Sequence, residues 1–192
     1  MASGNKNKRF RWWALKLTII TVVVFALQLF IPGFTELFVL DSAKAFTEPW
    51  RLITSVFLHG GIVHLAYNMF ALALFGLILE KKIGTRNFLL VYFIGGVLAN
   101  TATLPFYNSS LGASGAIFAV IGMLATVRPK MIVWVYYMPM RMWLAAIVWT
   151  IGNMFLIFMP DSGIGAVAHI SGVVFGVIAG FWWRAFRGKS SN

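Results

Sequence analysis

A lone serine, Ser114, stands among small residues in the stretch Leu111-Gly112-Ala113-Ser114-Gly115-Ala116, at the head of an apolar run. A serine hydroxyl attacks a carbonyl only when a neighbouring base takes its proton and nearby donors hold the oxyanion that forms. The chain has three histidines, His59, His64 and His169, and His64 is followed four residues later by Asn68, so that both share one face of a helix. Ser114, His169, His64 and Asn68 together carry the groups that acyl transfer needs. What remains is whether the elements that bear them can bring them to one place.

Those elements are membrane helices. Hydrophobic residues make up 60% of the 192, against roughly 45 to 50% in soluble domains, and the mean hydropathy is +0.83. One globular core cannot hide that much apolar surface, whereas spans of about 20 residues can. The net charge of +11 comes from 16 Lys and Arg against 5 Asp and Glu. It falls between apolar runs rather than on a solvated face, so a nucleic-acid partner is not expected. Cysteine is absent, which excludes a disulfide framework, a thiol nucleophile and a cysteine metal site. No His-Glu-x-x-His string occurs, which argues against a metalloprotease, and no cofactor is expected. Two related halves with interrupted helices, the mark of many transporters, are not detected either.

The pattern predicts an all-α polytopic membrane protein, a bundle of six transmembrane helices. A basic N-terminal segment, 1–13, ends in the interfacial pair Trp12-Trp13. The six-helix domain covers 14–183, with spans at about 14–30, 61–79, 87–104, 114–127, 142–159 and 164–183. No small-residue cleavage site follows Phe30, so the first run is expected to stay as an anchor. The long outer connection, 31–59, is expected to hold short helices of its own, including an amphipathic piece around Phe34, Leu37, Phe38 and Leu40. A basic turn is expected at 80–86, an interfacial segment at 131–140 broken by Pro139, a turn at 160–163, and a basic tail at 184–192. With the N-terminus cytoplasmic, all the Lys and Arg but Lys44 and Arg51 fall on the inside. That asymmetry puts both termini in the cytoplasm.

Span length then fixes depth. The fourth run of 14 residues reaches about 21 Å at 1.5 Å per residue, while the hydrocarbon core is about 30 Å thick. Its inner end is pinned by Arg128 and Lys130, so Ser114 is expected roughly 9 Å below the outer surface. Backbone that dips so deep is tolerated only where it lines protein or a wet cavity. His169 is expected about 7 Å deep in the sixth span, and His64 and Asn68 near the outer end of the second. Gly165, His169, Gly172, Gly176 and Gly180 form one stripe, and Gly115, Ala119 and Gly122 a second beside Ser114. If the stripes pack, Ser114 Oγ and His169 come within the about 2.6 to 3.2 Å that a nucleophile and its base require. His64, Asn68 and the backbone N–H of Ser114 at the start of the fourth helix then face the oxyanion.

Trp50-Arg51, His59 with His64-x-x-x-Asn68, Glu80-Lys81-x-x-Gly84, Gly112-x-Ser114-Gly115 and Ala168-His169-x-x-Gly172-x-x-x-Gly176 follow one another in an order and spacing that resembles the rhomboid family of intramembrane serine proteases, in its minimal six-span prokaryotic form. The resemblance implies a catalytic dyad of Ser114 and His169, an oxyanion site using His64 and Asn68, and no metal or cofactor. It also implies partners that are transmembrane helices of membrane-protein substrates, admitted sideways from the lipid bilayer near the fifth span. The first loop is implied to be partly lipid-embedded, the turn at 160–163 to cap the pocket, and the location to be the plasma membrane, with the site opening to the extracytoplasmic side. The residue four after the nucleophile is often a tyrosine in this family and is Phe118 here.

Taken singly, each residue has a plainer reading. A serine among glycines is usually a packing residue, and a buried histidine or asparagine usually a structural one. His59, Trp50, Arg51 and Glu80 are read as scaffold, and Asp161 as a solvated loop residue. The alternative class is a catalytically silent rhomboid-like protein that binds membrane-protein clients; loss of the serine or the histidine would signal it, and both are present.

Overall fold

The computed structural model describes residues 10–135, 137–156 and 165–188. Helix α1 (Trp13–Phe30) is largely apolar and stops before Pro32 and the left-handed Gly33. The connection after α1 is built from short pieces. They are α2 (Phe34–Phe38), strand β1 (Leu40–Asp41), a 3-10 turn (Ser42–Lys44), α3 (Arg51–Thr54) and a second 3-10 turn (Ser55–Phe57). Arg51 holds them together: buried, it donates through Nη1 to the carbonyls of Glu36 and Val39 and through Nε to Glu48.

The second long helix comes in three parts, α4 (Ile62–Ala71), a π-helical turn (Leu72–Gly76) and α5 (Leu77–Ile83). It therefore runs beyond the predicted end at residue 79, and the basic turn expected at 80–86 shrinks to Gly84, whose φ of +85° favours glycine. Helix α6 (Thr85–Thr103) starts at once, and β2 (Ser109–Ser110) pairs antiparallel with β1. Helix α7 (Ser114–Val127) is central, with Gly115–Ile117 and Ala119–Leu124 buried. The segment predicted as interfacial is an antiparallel hairpin of β3 (Ile132–Val135) and β4 (Met138–Arg141), with Trp134 against Pro139. Pro139 is tolerated there because a two-stranded hairpin leaves the outer side of each strand unpaired. Helices α8 (Met142–Leu156) and α9 (Ala166–Gly188) complete the bundle, and α9 carries Arg184 inside the helix rather than in a tail. The turn predicted at 160–163, with Asp161, lies outside the described residues.

The described residues are thus mostly helical. Trp13–Phe30, Ile62–Ile83 and Ala166–Phe186 are long and apolar enough to cross a membrane; Ser114–Val127 and Met142–Gly152 are apolar but shorter. Side chains such as Ile19, Leu29, Ile94 and Ile178 face outward. A membrane solvates that surface where water would not.

At the end of the bundle away from Ser114, Glu80 is fully buried. Oε1 accepts from the backbone N–H groups of Arg11 (3.2 Å) and Trp13 (3.1 Å) and from the Thr85 hydroxyl, and Oε2 from the N–H of Ala14 (3.1 Å). The carboxylate occupies the place of an N-terminal cap on α1, satisfying helix N–H groups that have no intrahelical acceptor.

Candidate active site

Three glycines let α9 lie against α7 at backbone distance. A Cβ at Gly172 would run into the Gly115 carbonyl and stand 3.2 Å from the Ala119 nitrogen, one at Gly176 would strike the Ala119 carbonyl, and one at Gly180 the Thr126 hydroxyl. From the α7 side, a Cβ at Gly122 would strike the Val173 carbonyl. The two small-residue stripes therefore meet along their length. Helix α6 closes on the same place, since a Cβ at Gly115 would come 2.6 Å from Ala99 Cβ and 3.6 Å from Ala168 Cβ.

That contact sets the relative level of Ser114 and His169. Ala168 and Gly172, which flank His169 in sequence, both touch Gly115, the residue after Ser114. The His169 ring is 9% exposed and stacks on Phe118 with centroids 4.4 Å apart and planes at 20°. Phe118 is one helical turn below Ser114 on the same face of α7. Stacking holds the imidazole flat against α7, with or without a hydroxyl on the supporting ring.

Ser114 is the first residue of α7 and only partly buried, while its neighbours Gly112, Ala113, Gly115 and Ala116 are buried. Gly112 turns the chain into the helix with φ +123°, a region closed to residues with a Cβ, and its N–H donates to the Ser55 carbonyl at 2.9 Å. The point where its Cβ would stand is 3.1 Å from His64 Nε2 and 3.9 Å from Ser114 Oγ. Imidazole and hydroxyl thus flank the same glycine. The N–H groups of the first turn of α7 have no intrahelical acceptor and project toward this space.

Asn68 is buried one turn further along α4, and its Nδ2 donates to the His64 carbonyl at 3.0 Å. One amide hydrogen and Oδ1 are left over among the described residues. The His59 and His64 rings meet edge-on at 5.0 Å. His59 is fixed from behind, because Gln28 accepts from its N–H (3.0 Å) and donates to its carbonyl (3.4 Å), and its Nδ1 lies 3.4 Å from the Phe57 carbonyl. Burial, and then the proximity of His64, push its imidazole down to about 4, so it is neutral at physiological pH. Its Nε2 is buried with no hydrogen-bond partner among the described residues.

The loop before Ser114 is held from outside the bundle. Besides the β1–β2 pairing, Ser42 N–H donates to Asn108 O (3.0 Å) and Ser42 Oγ to Tyr107 O (2.5 Å). Asn100 of α6 donates to Leu52 O (2.9 Å) and Ser55 Oγ (3.0 Å). Sequence reasoning missed Gln28, Ser55 and Asn100 as supports. Asn100, a polar residue inside an apolar run, was the one with a visible signal.

The family model described as Rhomboid domain matches residues 47–186. Rhomboid protease GluP of Bacillus subtilis (strain 168) is 38% identical over 153 residues, which cover 77% of this chain and 28% of that protein. RHOMBOID-like protein 6, mitochondrial, of Arabidopsis thaliana is 32% identical over 154 residues, 74% of this chain and 49% of the relative. Rhomboid-like protease 2 of Toxoplasma gondii is 35% identical over 140 residues, 70% and 48%. The chain spans between about a quarter and a half of the length of these relatives.

Proposed function

Because this chain belongs to the rhomboid family, we propose that it is an intramembrane serine endopeptidase that cuts transmembrane segments through a dyad of Ser114 and His169. The observation that carries this reading is the backbone contact of α7 and α9, with Ala168 and Gly172 on Gly115 and the His169 ring laid on Phe118. It supports a base held beside the residue that opens α7. Family membership and the apolar helices make the protein a multi-pass membrane protein.

In the proposed reaction a substrate helix enters from the lipid near α8 and opens locally, because a helical carbonyl is hydrogen-bonded and shielded. His169 takes the Ser114 proton as Oγ bonds to the peptide carbon. The oxyanion is held by the Ser114 N–H, His64 and Asn68, whose spare amide hydrogen supports that role. The C–N bond then breaks, His169 returns its proton to the leaving amine, and water hydrolyses the acyl-enzyme. Substrate helices with Gly, Pro or polar residues near the end facing the site open at least cost and are preferred. The Lys and Arg asymmetry supports cytoplasmic termini, with the site opening outward.

The test is labelling of the purified protein by a fluorophosphonate probe, beside cleavage of a single-span test substrate. Labelling is expected in the wild type and absent in Ser114→Ala, and cleavage is expected to disappear in His169→Ala. Equal labelling of wild type and Ser114→Ala overturns the assignment of the nucleophile.

A further inference from the structure

Away from the candidate site, a groove of about 430 Å³ runs between α8 and α9. Trp143, Ile147 and Ile151 form one wall, Val173, Val177 and Phe181 the other, and Ala125 and Thr126 of α7 the floor. Its two hydroxyls are already committed to their own helices, Thr126 Oγ1 to Met123 O and Thr150 Oγ1 to Ala146 O. To a ligand the groove is therefore apolar. From Trp143 to Ile151 it extends about 12 Å by helical rise, close to one leaflet of an about 30 Å hydrocarbon core.

The mouth of this groove is strongly basic. Arg184 donates through Nη1 to the Thr126 carbonyl at the floor (3.3 Å), one turn beyond Phe181. The loop Arg128–Met131 lies against the start of α8, since Met142 N–H donates to Met131 O (2.7 Å) and Trp143 N–H to Pro129 O (3.4 Å). That loop lines a second hollow, of about 370 Å³. Arg128, Lys130, Arg141 and Arg184 are all exposed, and among the described residues none of them pairs with a carboxylate. The carboxylate described at this end, Glu80, is buried and spent on the start of α1.

We propose that this is a binding site for one anionic phospholipid, with an acyl chain lying in the α8–α9 groove and the phosphate held among Arg128, Lys130, Arg141 and Arg184. The complementarity is twofold: an apolar slot one leaflet deep, ending in uncompensated positive charge where the headgroup of that leaflet must lie. Trp149, which does not line the groove, packs edge-on against Phe75 of the second helix at 5.8 Å.

Native mass spectrometry of the purified full chain, titrated with dioleoyl phosphatidylglycerol or dioleoyl phosphatidylcholine, tests the site. One phosphatidylglycerol is expected to stay bound with at least tenfold preference over phosphatidylcholine, and glycerol phosphate, which has no chain, is not expected to be retained. Arg128→Gln/Lys130→Gln/Arg141→Gln should cut the preference to under threefold. Ile147→Trp, which fills the groove from an exposed position, should lose the bound lipid with the charges intact. Thermal midpoints read in parallel confirm that both variants fold. Equal retention of the two lipids by the wild type, retention of glycerol phosphate, an unchanged preference in either folded variant, or a second copy of the chain in place of the lipid overturns the proposal.

Discussion

The two ends of the bundle both bury polar side chains and use them in opposite ways. At one end Glu80 accepts four hydrogen bonds, three from backbone N–H groups near the start of α1 and one from Thr85. At the other, Asn68 spends one amide hydrogen on its own helix, His59 Nε2 has no partner among the described residues, and Ser114 is left partly open. A buried polar group fully committed to backbone fixes where helices begin. Polar groups with unused capacity, gathered beside a hydroxyl, cost stability and are the mark of a site kept ready for something else.

If that contrast is right, substitutions at the two ends separate activity from stability. Ser114→Ala or His169→Ala lowers turnover of a single-span substrate by at least about 10³-fold, while the thermal midpoint in detergent moves by no more than about 2 °C. Gly172→Val forces a side chain into the Gly115 carbonyl and separates α7 from α9. It costs about 3 kcal/mol and lowers turnover of the folded fraction about 100-fold, read by pairing melting curves with initial rates. Glu80→Leu strands three donors, the Arg11 N–H keeping the Thr85 hydroxyl at 3.0 Å, and costs about 4 kcal/mol, yet the folded fraction keeps its turnover within about threefold. A loss of turnover as large as that of Gly172→Val, with stability intact, would erase the distinction.

His59 gives the contrast a pH signature. Its imidazole is pushed down to about 4 in the folded protein from the ordinary 6.5. Between those values the unfolded chain binds the extra proton, so stability falls as pH drops from 6.5 toward 4 and levels off below. His59 contributes about 3 kcal/mol to that fall, and His59→Gln flattens the melting profile over the same window. The smallest effect is at Phe118: Tyr there changes turnover by less than about threefold, whereas Leu, which removes the stacking ring, costs about tenfold.

Much of this arrangement is legible in the sequence because membrane helices obey two simple rules, length and small-residue packing. The glycines of α9 and the matching face of α7 announce a backbone contact before any coordinate does, and with it the level of His169 relative to Ser114. The hairpin of β3 and β4 is less visible. Ile132-Val133-Trp134-Val135 is β-branched and buries alternate residues, but Pro139 reads as a break when the partner strand is unknown. The duty of Glu80 could not be read at all, since its partners are N–H groups about 70 positions earlier and every residue has those. The same holds for Gly112, whose importance lies in a φ of +123° and not in its type alone.

The π turn at Leu72–Gly76 lies between the two ends on a single helix. A π turn takes in one residue more than an α turn needs, and each residue of an α-helix corresponds to about 100° of rotation. Its presence sets the azimuth of His64 and Asn68 independently of that of Glu80. Removing one residue there would swing the half bearing His64 and Asn68 by more than a quarter revolution while the half bearing Glu80 stayed keyed to α1. This stretch works as a clutch, where chain length rather than side-chain chemistry aims one half of the helix without disturbing the other.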